Sequence, residues 1–195
     1  MEEFYYEVPS ISRKDAAIDY IREHHEYQSK INGAGGLGHF INDYEGWLEK
    51  LEKDYNQEIT EERVPARTYF LIRRSDNKII GMINIRLALN ERLKKIGGHI
   101  GYGIRPTERG NGYNKINLYL GLKECQKEGI DEILLDANIN NPASWRTMEA
   151  LGAERIQEFY DEKEGECYKY KIDVEKSLNK YGDIYEELIH TQKSI

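Results

Sequence analysis

Two glycine-bearing stretches of the chain could hold phosphate. One is Gly33-Ala34-Gly35-Gly36-Leu37-Gly38, a literal G-x-G-x-x-G. The other is Arg109-Gly110-Asn111-Gly112-Tyr113-Asn114, introduced by Arg105-Pro106. Backbone amides cradle an anion where glycines allow close approach and where a helix begins with its first N–H groups unpaired. A dinucleotide fingerprint must also follow a buried strand. Residues 28–32, Gln-Ser-Lys-Ile-Asn, have no strand pattern. The 33–38 match therefore lacks its context and reads as a connector between two helices, either a plain turn or a mobile cover over a site. The second stretch has the context. A strand-like run, His99-Ile100-Gly101-Tyr102-Gly103-Ile104, ends at Arg105, where Pro106 stops it, and a helical pattern starts at Tyr113. Arg109 there offers charge-assisted hydrogen bonds worth about 1.5–3 kcal/mol each. No Gly-Lys-Ser/Thr ending follows, so nucleotide triphosphate hydrolysis is not indicated.

Other reactive side chains point to less. His99 opens the strand and titrates near neutrality, so it could relay a proton or serve as a structural histidine at a strand end. His24 and His25 are adjacent on a helical pattern and diverge by about 100°, so they form no metal pair; no metal site is expected. Cys125 falls on an apolar stripe with Leu118 and Leu122 and reads as a core thiol. No G-x-S-x-G suggests a serine hydrolase.

The elements that would position these residues follow from periodicity. Residues 4–8 form a short strand ending at Pro9, and 12–30 and 42–55 form two amphipathic helices. Strand-like runs at 67–74 and 78–89, joined by Ser75-Asp76-Asn77-Lys78, form a hairpin. A polar loop leads to the strand at 99–104, then a helix at 113–129. Residues 131–139 have a continuous apolar centre, as in a buried parallel strand. A short helix at 141–152 precedes a last hairpin and a polar helical tail. The fold class expected is mixed α/β (α+β). It has a central, mostly antiparallel sheet, a parallel βαβ crossover over 99–139 and flanking helices. Residues 1–173 would be the domain and 174–195 its helical extension.

Composition narrows the partners. The 195 residues carry a net charge of −7, with 32% charged and 39% hydrophobic residues. Nucleic acid, which usually needs a basic face, is not expected. An acidic balance suits a cationic partner, or solubility alone. Glu23, Glu26, Asp43 and Glu45 could draw a cationic amine or be solvated helix faces. No run approaches 18 apolar residues, and the N-terminal decapeptide has no apolar signal core, so no membrane partner is expected. The two cysteines form no C-x-x-C pair and suit a reducing cytoplasm.

The stretch 109–114 resembles the Arg/Gln-x-x-Gly-x-Gly/Ala signature of the GNAT acyl-CoA N-acyltransferases. Asn141 and Ser144, in Asn-Asn-Pro-Ala-Ser-Trp-Arg-Thr-Met-Glu-Ala-Leu-Gly, resemble that family's segment beside the pantetheine arm. The order of elements is similar from residue 4 to about 173. The resemblance implies the GNAT fold and direct transfer of acetyl from the cosubstrate acetyl-CoA to an amine of a small molecule or peptide. It implies pyrophosphate on Arg105, Arg109, Gly110, Asn111, Gly112, Tyr113 and Asn114. It places pantetheine beside Tyr102, Gly103, Ile104, Asn141 and Ser144. The thioester oxygen would take a backbone N–H of the strand, with Tyr102, Gly103 and Ile104 the candidates. His99 lies near where several members carry a catalytic glutamate. A homodimer is compatible with this reading. Three positions depart from the pattern. Asn114 replaces a small residue, Met148 stands where many members have a proton-donating tyrosine, and Ala153 replaces an aromatic. The Met148 exchange leaves a second reading open, an acyl-CoA-sensing module of the same fold with little turnover.

Overall fold

The computed structural model describes residues 2–189. Its elements run in the order expected. Strand β1 (Phe4–Glu7) leads through a 3-10 turn into α1 (Lys14–Glu26), and a glycine-rich loop joins α1 to α2 (Tyr44–Asn56). Then come β2 (Ala66–Arg73), β3 (Lys78–Arg86), a short helix α3 (Glu91–Lys95) and β4 (Ile100–Ile104). Helix α4 (Tyr113–Lys127), β5 (Glu132–Asn138) and α5 (Pro142–Glu149) follow. The hairpin β6 (Glu154–Asp161) and β7 (Gly165–Asp173) runs directly into α6 (Val174–Tyr185). Capping sets several starts. Asp43 accepts from Gly46 N–H ahead of α2, Asn141 from Ser144 N–H ahead of α5, and Asp173 from Lys176 N–H ahead of α6. The segment expected as a polar loop after β3 contains α3, capped by Asn90, which accepts from Leu93 N–H at 3.0 Å.

The sheet differs from the expectation. There are two sheets, with strand orders β1-β2-β3-β4 and β5-β7-β6, and every ladder is antiparallel. The connection β4-α4-β5 exists, but the parallel pairing expected across it does not form. The two strands meet at one end only. His99 N–H donates to Leu134 O at 2.7 Å, and Leu134 N–H donates to His99 Nδ1 at 2.9 Å. Beyond that point β4 keeps a free edge. This is the structural basis of the site.

The four-stranded sheet is covered on both faces. Alternation sends Phe70 and Ile72 toward α1 and α2, where they meet Ala17, Tyr20, Ile21 and Trp47. Tyr69 and Leu71 face the other way, into a larger core shared with α4, β5, β7 and α6. The helix at 174–185 belongs to this packing. Tyr185 stacks on Tyr119 at 5.0 Å between ring centroids, and Ser177 Oγ donates to Leu151 O. Residues 190–195, the end of the expected tail, and Met1 lie outside the described residues. Cys125 is fully buried in the larger core, and burial pushes its thiol up to about 12.

Candidate active site

The gap between β4 and β5 opens into a cavity of about 1190 Å³. Its walls come from β4, the 109–115 stretch, the start of α5, the outer part of the β5-β7-β6 sheet and residues 29–33. Which backbone groups of β4 face it follows from the ladder. Hydrogen bonding alternates along an antiparallel pair, and Arg105 N–H donates to Ile80 O at 2.9 Å. Gly101 and Gly103 therefore bond to β3, and the backbone groups of Tyr102 and Ile104 point to the open side. Arg109 Nε donates to Ile104 O at 3.0 Å.

At one end of the cavity, Arg109 leads into Gly110 and Gly112, with φ of +85° and +79°. Both are left-handed conformations that glycine takes freely. No atom lies within 4 Å of where a Cβ would stand on either, so the loop presents an open concave backbone to the cavity. Gly112 is the residue ahead of α4, and the first N–H groups of that helix face the loop. Arg109 also donates to Ser29 Oγ at 2.7 Å, bridging the loop to the end of α1. The side-chain oxygen of Asn114 is buried without a partner. Backbone amides, a guanidinium and a helix start together suit an anionic, phosphate-bearing ligand.

On the opposite wall, Asn141 caps α5 and Ser144 follows one turn later. Tyr102 reaches across from β4, its hydroxyl 3.1 Å from both Ser144 O and Ser144 Oγ. Burial raises the Tyr102 pKa above its ordinary value. Met148 is buried on the same wall, so a thioether occupies the position one turn beyond Ser144.

The structure thus brings Tyr102, Gly103, Ile104, Arg109, Gly110, Gly112, Tyr113, Asn114, Asn141 and Ser144 to one cavity. Three expected residues stand elsewhere. Arg105 follows the alternation of Gly101 and Gly103 onto the α1 face. There it is buried, 2.7 Å from Asp19 Oδ2 and 3.3 Å from Glu23 Oε2. Asn111 turns back to donate to Glu108 O at 3.2 Å and is not on the wall. His99 is also off the wall. Its Nδ1 is taken by Leu134 N–H, and burial lowers its pKa to about 4, which keeps it neutral.

The acidic helix residues are structural. Glu23 accepts from Thr107 N–H and Oγ1–H, both at 2.9 Å, Glu45 pairs with Lys14, and Asp43 is a helix cap. None of them lines the cavity, nor does Glu26.

The 33–38 loop is held, not loose. Ala34 and Leu37 are buried, and a Cβ on Gly33 would stand 2.5 Å from Tyr102 Cα. Gly103 explains itself in the same way, since a Cβ there would meet Asn32 O at 2.9 Å. Gly103 therefore lets this loop lie flat on the face of β4, whereas a Cβ on Gly101 would stand at an ordinary 3.7 Å from Gly33 N.

Sequence reasoning missed the far end of the cavity. Arg86, Asp136, Asn138, Phe159, Glu164 and Cys167 line it. In β5, the buried Ile133, Leu135 and Ala137 alternate with the less buried Leu134, Asp136 and Asn138. That period of two was available in the sequence.

A free strand edge beside an open glycine turn at a helix start suits a long, phosphate-bearing cosubstrate. The chain belongs to the GNAT family: a family model described as Acetyltransferase (GNAT) family matches residues 37–153, more than half of it. It is an acetyl-CoA-dependent N-acetyltransferase of that family. No curated protein sequence matches the chain. Solved structures share the fold. A chimera of spermidine N-acetyltransferase SpeG from Vibrio cholerae and hSSAT is 13% identical over 91% of this chain and 99% of its own, with a TM-score of 0.63. A ribosomal-protein-S5-alanine acetyltransferase from Vibrio fischeri is 15% identical over 89% and 94%, at 0.67. A GNAT-family acetyltransferase from Bacillus anthracis is 17% identical over 89% and 96%, at 0.59. Among the described residues no helix is long and apolar enough to cross a membrane.

Proposed function

We propose that the chain moves the acetyl group of acetyl-CoA directly to an amine of a small molecule or peptide, across the gap between β4 and β5. The carrying observation is the free edge of β4, whose Tyr102 and Ile104 backbone groups face the same cavity as the open turn at Gly110 and Gly112. In this reading the turn, Arg109 and the start of α4 take the pyrophosphate. Asn141, Ser144 and the edge of β4 flank the pantetheine, and Ile104 N–H donates to the thioester oxygen as it gains charge.

The amine attacks as the free base. At pH 7 an ordinary primary amine must lose a proton at a cost of roughly 4.6 kcal/mol. Its lone pair forms the C–N bond, the C–S bond breaks, the amine proton leaves to solvent and the thiolate takes a proton. Met148 supplies no proton. The hydroxyls on that wall belong to Tyr102, Ser144 and Thr147. His99 takes no part in proton transfer here. It pins β4 to β5 at the closed end of the gap and so holds the open end apart.

By their names, the structural relatives act on spermidine or on an alanine of a ribosomal protein. An amine is what those acceptors share. The test is thiol release from acetyl-CoA with a panel of polyamines, amino acids and peptides bearing free N-termini. Turnover with at least one amine is expected. CoA binding with no turnover on any of them would overturn the reading in favour of a sensing module.

A further inference from the structure

Around Arg86 the cavity carries an excess of positive charge, although the chain as a whole carries −7 and Asp161 and Glu164 line the same cavity. Arg86 closes β3 and lies on the cavity wall. Its Nη1 donates to two carbonyls, Gly97 O at 3.0 Å and Gly98 O at 2.7 Å. Among the described residues it forms no ion pair. The carboxylate nearest in effect is Asp136, and that group is already committed. It lies 3.0 Å from Lys169 Nζ and accepts from Gly97 N–H at 2.6 Å. Lys169 is itself buried, and donates as well to Lys94 O at 2.9 Å. Two cations thus face one carboxylate. Arg92 adds charge of the same sign, and it and burial both lower the Arg86 pKa. Carbonyl dipoles solvate a guanidinium but do not neutralise it. A planar fork held on one side by two carbonyls leaves its other donors for a bidentate anion.

Resting on the acetyl-transfer reading, we propose that the acceptor is an amine that also carries a carboxylate, and that Arg86 binds the carboxylate. The geometry gives the acceptor's shape. Arg86 sits beside His99, since its N–H donates to His99 O, and β4 runs from there to Ile104. Five residues of strand span about 16 Å, less the reach of the side chains. Amine and carboxylate are therefore separated by many bonds, as in a short peptide or a long ω-amino acid. A compact α-amino acid would not reach both ends.

Matched probes test this without requiring turnover. Calorimetry on the CoA complex compares triglycine with triglycinamide, and 6-aminohexanoate with 6-aminohexanamide, for the parent, Arg86→Gln and Arg86→Lys. The parent is expected to bind each acid at least tenfold more tightly than its amide. Arg86→Gln should remove that preference while leaving amide binding unchanged, and Arg86→Lys should keep part of it. Equal binding of acid and amide by the parent overturns the proposal, as does a preference that survives Arg86→Gln or failure of every acid to bind. The parent comparison alone decides the matter if the glutamine variant does not fold. Preference for the acids with no acetylated product would leave the carboxylate site standing and refute acetyl transfer.

Discussion

Gly33→Ala is the substitution whose effect the structure specifies most closely. Gly33 has a φ of +70°, which an alanine adopts at a cost of about 1–2 kcal/mol. Its new Cβ would lie 2.5 Å from Tyr102 Cα and 2.6 Å from Gly101 O. Both are backbone atoms of β4, and β4 is held by its ladder to β3 through Ile83 and Asn84, so the strand cannot yield. The loop must lift by about 1 Å to restore ordinary contact, at an overpacking cost of about 1–3 kcal/mol. The sum is about 2–5 kcal/mol, or a fall in Tm of roughly 4–20 °C for a chain of this size. Thermal unfolding followed by circular dichroism measures it. CoA affinity should change by less than about threefold, because the loop rests on the face of β4 and not on the 109–114 turn. Acceptor KM should rise, because Asn32 and Gly33 form part of the cavity wall. A Tm within 2 °C of the parent would refute the packing of this loop on β4.

Gly35→Ala should also destabilise, by about 1–3 kcal/mol, since its Cβ would stand 2.6 Å from Thr68 Oγ1 and 2.7 Å from Leu51 Cδ2. CoA binding should stay at the parent value, and a loss as large as that of Arg109→Ala would make 33–38 the phosphate loop after all. Lys169→Met should cost about 3–5 kcal/mol in urea unfolding, because it strands the Asp136 carboxylate, whereas adding Asp136→Asn should recover most of it. No recovery in the double variant would mean that Lys169 acts through packing alone. His99 has a folded pKa of about 4 against an ordinary 6.5, so between those values the unfolded chain binds the extra proton. Stability should fall as pH drops through that window and level off below it. His99→Gln should flatten the slope by about 2 kcal/mol after allowance for solvent screening. The lowered pKa of the buried His24 acts in the same direction and leaves a residual slope. An unchanged difference between pH 7 and pH 4.5 would rule out His99 as its source.

Local signals carried most of the element order. Pro106, Gly112 and Gly129 punctuate the chain where β4 ends, α4 begins and α4 ends, and the caps at Asp43, Asn141 and Asp173 mark helix starts. The 109–114 turn could be recognised because its chemistry is contiguous in sequence. What escaped depends on partners distant in sequence. Residues 131–139 resemble a parallel strand, yet β5 pairs antiparallel with β7, and its open side lies next to β4. Arg105 looked like a phosphate ligand beside Arg109. Strand alternation sends it to Asp19 and Glu23, which lie more than 80 residues earlier. The glycines at 33 and 35 suggested mobility, but they are there because backbone or side chains leave no room for a Cβ. Arg86, Asp136 and Lys169 come from three strands and form one cluster only after folding.

The central claim, that the turn at 109–114 holds the pyrophosphate of acetyl-CoA, is tested most directly by calorimetry of CoA and of pantetheine with the parent, Arg109→Ala and Gly112→Val. Loss of the Arg109 guanidinium should weaken CoA by about ten- to a hundredfold, the equivalent of about 1.5–3 kcal/mol. Gly112→Val should weaken it further, because a branched residue does not sit at a φ of +79° and its side chain would fill the open turn. Pantetheine, which ends short of the turn, should bind all three proteins alike. Folded variants that bind CoA as the parent does would contradict the assignment.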